Sequence, residues 1–257
     1  MKIKAILLSL LCIVGITTAT AQSDVWVWKG GSPVKTEMAD SITFTAPALT
    51  GPRALAEATT EDIGKIIGED GKIYATKEAA EDAGITAVAM IAYVGNDAET
   101  NSTYRHGLAL ALKDVSGTQL WCSQYAEACL SNQHSSKPAA MGDMAGLANT
   151  DALVYHSSHT HAAATAARNY KYADGVAEGV HPLVTSAWFL PSAGQWYKMA
   201  TAAGGSATLK TNAGLQWDRY WSSSEVNAQV AWYFGAGGYW GRIYKDYDYP
   251  VRPCLAF

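Results

Sequence analysis

No segment of this 257-residue chain is long and apolar enough to span a bilayer. Residues 6–16 are apolar, but that stretch is too short to cross comfortably. Basic clusters are missing too. Nineteen Lys and Arg are scattered among 23 Asp and Glu, a net charge of −4, so there is no stripe of the kind that tracks nucleic acid. Internal repeats and low-complexity tracts are absent, so no array of repeats is expected. No Ser-His-Asp arrangement or close acid pair is evident, so no enzyme is read here. Cysteine is scarce: once Cys12 in the apolar stretch is set aside, Cys122, Cys129 and Cys254 remain. An odd number cannot form a fully paired framework.

The beginning of the chain has the form of an export signal. Lys2 and Lys4 precede the apolar stretch, and Ala19-Thr-Ala21 is a small-x-small cleavage site, placing the expected mature start at Gln22. Ser9-Leu-Leu11 before Cys12 lacks the small residue of a lipoprotein signal, so cleavage without lipidation is expected. The expected location is periplasm, cell surface or outside the cell. The remaining length suits one large domain, or a small one and a large one.

Alternation over Asp24–Lys29 predicts a strand turned by Gly30-Gly31, and Ser41–Thr45 a second short strand. Together they read as a small N-terminal β-hairpin element over 22–50. Residues 45–61, rich in Ala, Thr, Pro and Gly, read as a linker, with 51–61 its core, leading to a large domain over 62–257. Strands are predicted over 71–74, 86–94 and 106–113, and helices over 77–83, with Gly84 as its stop, and over 162–172. Residues 120–130 are Ala-rich and 131–138 form a polar loop. Ser192 caps a helix to about Ala202, with Trp196 and Met199 facing inward and Gly204-Gly205 ending it. Strands follow over 220–224, 228–236, 239–245 and 251–257. Helices followed by a run of antiparallel strands argue for an α+β fold.

The C-terminal quarter is the most specific part. It contains Trp188-Phe-Leu-Pro191, Tyr220-Trp-Ser-Ser-Ser-Glu225, Ala231-Trp232, Val251-Arg-Pro253 and Leu255-Ala-Phe257. These motifs resemble the C-terminal half of a C-type-lectin-like domain. In particular they resemble the variable proteins of diversity-generating retroelements, and the Trp188-Phe-Leu-Pro191 entry is similar to the formylglycine-generating-enzyme branch of that fold. A weaker likeness extends to Arg105–Leu112. In such variable proteins, Asn codons of a template repeat are copied with adenine errors into the 3′ end of the gene. The resemblance implies a fixed frame carrying a variable region at about 220–250.

The genetic code bears on that implication. Randomising the adenines of a pyrimidine-ending Asn codon can give Tyr, Asp, Gly, Ser, Val, Ile, Arg or Pro. It cannot give Trp, Lys, Gln, Glu or Met. Val226, Asn227, Val230, Tyr233, Gly235, Gly237, Tyr239, Gly241, Arg242, Ile243, Tyr244, Asp246, Tyr247, Asp248 and Tyr249 are permitted products, as is Pro250. Gln229, Trp232, Trp240 and Lys245 are not, and read as frame. The permitted positions up to Tyr249 are the expected ligand-binding residues, since Tyr gives contact area at low entropic cost. Trp232, Phe234 and Ala236 alternate with Tyr233, Gly235 and Gly237, which puts frame on one strand face and variation on the other. The expected partner is a protein, cell-surface or phage-surface ligand. The alternative reading is a structural or adhesin subunit of a surface appendage with a non-variable lectin-like domain.

Metal is not expected. His156, His159 and His161 form an H-x-x-H-x-H cluster without an evident carboxylate, read as a solvated loop with zinc the lesser alternative. The sugar-site motifs of true C-type lectins do not occur, and Asp246 and Asp248 are a weak calcium signal. No cofactor is implied. Cys254 reads as a buried apolar thiol. Cys122 and Cys129 would lie about 10 Å apart on one continuous helix, so they bridge only if that segment is not one helix.

Overall fold

The computed structural model describes residues 51–123, 129–156, 158–179 and 185–257, with the backbone of four short strands before them. The cleavage signal, apart from the backbone of residues 17–19, lies outside the described residues. The chain divides into two units, Met1–Gly51 and Pro52–Phe257. In the first unit, β2 (Val25–Lys29) pairs antiparallel with β3 (Ser32–Thr36), and β1 (Thr17–Ala19) with β4 (Ile42–Phe44). The partner of the first predicted hairpin strand is therefore Ser32–Thr36 and not the segment at 41–45. A connection of only two residues makes the nearer pairing the local one.

The second unit is α+β. Its main sheet has six antiparallel strands in the order β15-β9-β8-β6-β7-β5. These are β5 (Arg53–Ala54), β6 (Ile66–Gly68), β7 (Lys72–Tyr74), β8 (Ala87–Val94), β9 (Gly107–Ala111) and, from the end of the chain, β15 (Cys254–Ala256). The unbroken apolar run of β8 suits its inner position, where both faces are covered. On one face Met90, Leu108, Leu110 and Cys254 pack with Trp196 and Met199. On the other, Ile67, Ile91, Ala109 and Leu255 pack with Tyr170 and Trp188. The β15 edge is covered by a bridge between Phe189 and Cys254. Cys254 is buried, and burial pushes its thiol well above the usual range.

Residues 53–62 are part of this fold. Beyond the edge strand β5, the chain makes two 3-10 turns around buried Asp62. The Asp62 carboxylate accepts from the Thr59 N–H (2.8 Å), Lys65 Nζ (2.9 Å) and Arg53 Nη2 (2.5 Å). The composition that suggested a linker there reflects tight turns held by one carboxylate.

Helix α1 (Lys77–Asp82) is capped by Thr76 and stopped at Gly84, whose φ of +73° is open to glycine at no steric cost. The chain then runs through β8, β9 and the two-residue β10 (Gln119–Leu120) to α2 (Lys137–Met141), α3 (Gly146–Val154) and α4 (Ala162–Arg168). Next comes α5 (Ala193–Ala202), opened by a capping box. Ser192 Oγ accepts from the Gln195 N–H (3.3 Å) and Gln195 Oε1 accepts from the Ser192 N–H (2.9 Å). It buries Trp196, Met199 and Ala200. After α6 (Ser206–Asn212), a second sheet of three antiparallel strands forms from β11 (Arg219–Glu225), β12 (Val230–Gly235) and β13 (Gly241–Tyr244), while β14 (Asp248–Tyr249) pairs with β10. Trp196 stacks on Phe234 of β12 with ring centroids 4.5 Å apart, tying α5 to this sheet.

Candidate functional site

The second sheet is built on a buried polar frame. From Tyr220 to Glu225 every residue is buried, although four of the six are polar. Each polar group has a partner. Ser222 Oγ donates to the Trp232 carbonyl (2.7 Å), and the Ser222 carbonyl accepts from Trp121 Nε1 (2.8 Å). Ser224 Oγ donates to Asp143 (2.5 Å), and the Ser223 N–H donates to the Pro191 carbonyl (2.9 Å). Tyr220 donates to Asp114 (3.0 Å), and burial raises its hydroxyl pKa to about 12. Arg252, also buried, spends its guanidinium on Asp114 (2.6 Å) and on the carbonyls of Ala111, Ala213 and Gly214. These contacts give physical reasons for the Tyr220–Glu225 and Val251-Arg-Pro253 motifs.

Glu225 is the hub. One carboxylate oxygen accepts from the Cys129 N–H (2.9 Å), the other from the Leu130 N–H (2.9 Å) and Gln133 Nε2 (3.3 Å). The first oxygen also pairs with Lys245, and both side chains are fully buried. Lys245 Nζ donates in addition to the Ala228 carbonyl (2.8 Å) and sits 4.8 Å from the Trp121 ring centroid. This lysine therefore anchors the turn after β13 from below, while its neighbours Tyr244 and Asp246 face outward.

The expected binding positions fall into three groups. Asn227, Gly237, Tyr239, Arg242, Tyr244, Asp246, Tyr247 and Asp248 are exposed. Val230, Tyr233, Gly241, Ile243 and Tyr249 are half-buried. Val226 and Gly235 are buried, and neither can act as a contact position. Val226 packs with Ala140, Ala193 and Trp232. A Cβ on Gly235 would lie 1.4 Å from the Tyr239 carbonyl oxygen, so this glycine is required by a close backbone approach. The strand face expected to vary is thus partly covered. Tyr249 packs edge-on against Tyr233 (5.5 Å) and tilts over Trp221 (4.9 Å). Exposure is concentrated further along, where Tyr239 is 81% exposed, Tyr244 51% and Tyr247 49%. Among the frame positions Trp232 and Lys245 are buried, Trp240 is half-buried against Phe234, and Gln229 is exposed at the β12 entry.

Two shallow clefts border the exposed band. One, of about 400 Å³, is lined by Trp217, Arg219, Asp248 and Tyr249. Arg219 donates to the Tyr249 hydroxyl (2.9 Å) and lies 5.4 Å from the Tyr233 ring centroid. The other, of about 380 Å³, is lined by Ser135, Lys137, Trp240 and Arg242. Trp217, Arg219, Ser135 and Lys137 lie outside the span that the codon argument addresses, and no motif marks them.

The histidine cluster is less solvated than its sequence suggests. His156 is half-buried, but His161, the residue before α4, is only 1% exposed. Apolar helix α4 carries it inward against Trp121, Cys122 and Cys129. The two cysteine sulfurs are 4.0 Å apart, and the Cys122 sulfur together with burial pushes the Cys129 thiol up.

No protein-family model matches the chain, and no curated protein matches it. Among solved structures the chain is similar to a fimbrial protein from Bacteroides ovatus ATCC 8483, with 16% identity and a TM-score of 0.49. The match covers 76% of this chain and 48% of that one, so the chain spans about half the length of that protein. Among the described residues, no helix is long and apolar enough to cross a membrane.

Proposed function

We propose that the chain is an exported, non-enzymatic binding protein whose C-type-lectin-like scaffold presents the band from Asn227 to Asp248 to a ligand on a protein, cell or phage surface. The observation that carries this reading is the contrast within the segment from Gly241 to Asp248. Lys245 is fully buried in an ion pair, whereas Arg242, Tyr244, Asp246, Tyr247 and Asp248 around it are exposed. A rigid floor under adaptable aromatic and polar groups is the arrangement of a contact surface, in which a few aromatic anchors carry most of the affinity. The half-buried rings of Tyr233 and Tyr249 lend it stiffness and lie outside the contact set.

The test is genetic. Sequencing the 3′ end of this gene across many isolates, with its neighbouring DNA, should show an Asn-codon-rich near-copy beside a reverse-transcriptase gene. Substitutions should concentrate at the eight exposed positions and spare Lys245, Glu225 and Gly235. An invariant 3′ end without a template copy would refute diversification. A surface-appendage subunit would then remain, and deletion of the β2–β3 hairpin should then abolish assembly while Tyr239, Tyr244 and Tyr247 tolerate Ser.

A further inference from the structure

We propose that Cys122, Cys129 and His161 bind a structural zinc ion, with His156 as the fourth ligand. Their ligand atoms lie within 4.8 Å of one another and all three residues are buried. A tetrahedral ion at about 2.3 Å from each thiolate holds two sulfurs about 3.8 Å apart; here they are 4.0 Å apart. The independent observation is His161. It is 1% exposed, and neither ring nitrogen has a hydrogen-bond partner among the described residues. A buried imidazole with both nitrogens unsatisfied calls for a reason, and a metal bond supplies one.

His156 lies beside this group without belonging to it, and would join as the fourth ligand by a side-chain rotation. Its ring centroid is 5.2 Å from that of His161, and its Nδ1 accepts from the Ser158 N–H (3.3 Å), which leaves Nε2 as the donor atom. Two thiolates and two imidazoles select a borderline-soft, tetrahedral cation. They also neutralise it, so the buried site gains no net charge on loading. Lys245 Nζ lies 3.8 Å from Cys129 Sγ, within reach to hydrogen-bond the thiolate and so steady it as a metal ligand. Zinc binding displaces the two thiol protons to solvent; no redox step is involved. The ion would clamp the segment carrying Cys122 and Cys129 to the start of α4. Through Lys245 it would stiffen the floor beneath Tyr244 and Asp246.

The full-length protein, purified from its exported fraction without chelator, is assayed for zinc by elemental analysis and for thiols after denaturation. One zinc per chain is expected, with Cys122, Cys129 and Cys254 all titrating as thiols. Replacement by cobalt(II) should give an intense thiolate-to-cobalt charge-transfer band. His161→Gln and Cys122→Ser should each lower zinc content or affinity by at least about tenfold, and Cys254→Ser should leave both unchanged. Should the ligand variants fail to fold, cobalt titration of the unaltered protein still decides. Its failure to give that band after reduction overturns the proposal. So does a Cys122–Cys129 disulfide in protein that takes up no zinc once reduced, copper in place of zinc, or wild-type zinc content in His161→Gln.

Discussion

Replacing Glu225 by Ala should be among the most damaging single changes in the chain. Lys245 would be left fully buried without its carboxylate, its remaining contacts including the Ala228 carbonyl, the Trp121 ring and Cys129 Sγ. The Cys129 and Leu130 N–H groups would lose their acceptor as well. Removing one partner of a buried pair costs about 3–5 kcal/mol. In a unit of this size each kcal/mol lowers Tm by about 2–4 °C, so a fall of about 6–20 °C is expected. Lys245→Met is the informative counterpart. It leaves Glu225 with two backbone donors and Gln133, and its cost should be smaller, about 1–3 kcal/mol. The double variant Glu225→Leu/Lys245→Met should be more stable than Glu225→Ala, because no buried charge remains, yet short of wild type because two N–H groups stay unsatisfied. Urea denaturation of the four proteins, followed by tryptophan fluorescence, gives the coupling energy directly. Glu225→Ala within about 1 kcal/mol of wild type, or Lys245→Met as costly as Glu225→Ala, would refute the hub assignment.

Other outcomes follow from the same contacts. Trp196→Ala, which removes the stack on Phe234, should cost about 3–5 kcal/mol, whereas Tyr247→Ala should stay within about 0.5 kcal/mol; equal losses in a denaturant titration would dissolve the division into frame and surface. Gly235→Ala should lower Tm clearly, since the added Cβ meets the Tyr239 carbonyl oxygen at 1.4 Å, while Gly237→Ala, with nothing within 4 Å, should not. The pH dependence of stability should be carried in part by Asp62. Burial alone would raise its pKa, but the Thr59 N–H, Lys65 and Arg53 bring it from 3.8 to about 2. A depressed carboxylate contributes stability above its unfolded value that disappears as pH falls through the folded one, so stability should drop between about pH 4 and pH 2. Asp62→Asn should flatten that drop, and an unchanged acid profile would argue against the turn assignment.

Much of the second sheet and the ends of helices α1 and α5 were legible because their signals are local. Alternation in β12, the Ser192 cap and the Gly84 stop each act within a few residues, and propensity reads them directly. The helices that escaped have no such signal. Helix α3 buries Asn149 and Thr150 along with Leu153, so no apolar stripe marks it. Helices α2 and α6 are five and seven residues long, too short for a periodic pattern. The polar core was illegible for a different reason. Glu225 meets Cys129 and Leu130 across more than ninety positions, and His161 meets Cys122 across the connection between β10 and α4. Nothing in either local window distinguishes these side chains from solvated ones.

Codon and geometry constrain the proposed surface independently, and their disagreements are informative. The code permits Gly235 and Val226 to vary, but close packing forbids it. The code forbids Gln229, though it is exposed and free of packing reasons to be fixed. Gln229 nevertheless has a role that side-chain exposure does not register: its backbone carbonyl accepts from the Lys245 N–H (3.0 Å), and its own N–H donates to Asn227 Oδ1 (2.9 Å). Asn227 also takes the Val230 N–H (3.0 Å), so this one side chain shapes the β11–β12 turn. Variation at Asn227 would therefore reshape the loop as well as its chemistry, whereas variation at Tyr239, Tyr244 or Tyr247 changes contacts alone. A surface built this way can be altered at two levels, by side chains on either side of β13 and by loop conformation at the β11–β12 turn, while the Glu225–Lys245 pair holds the strands beneath both in place.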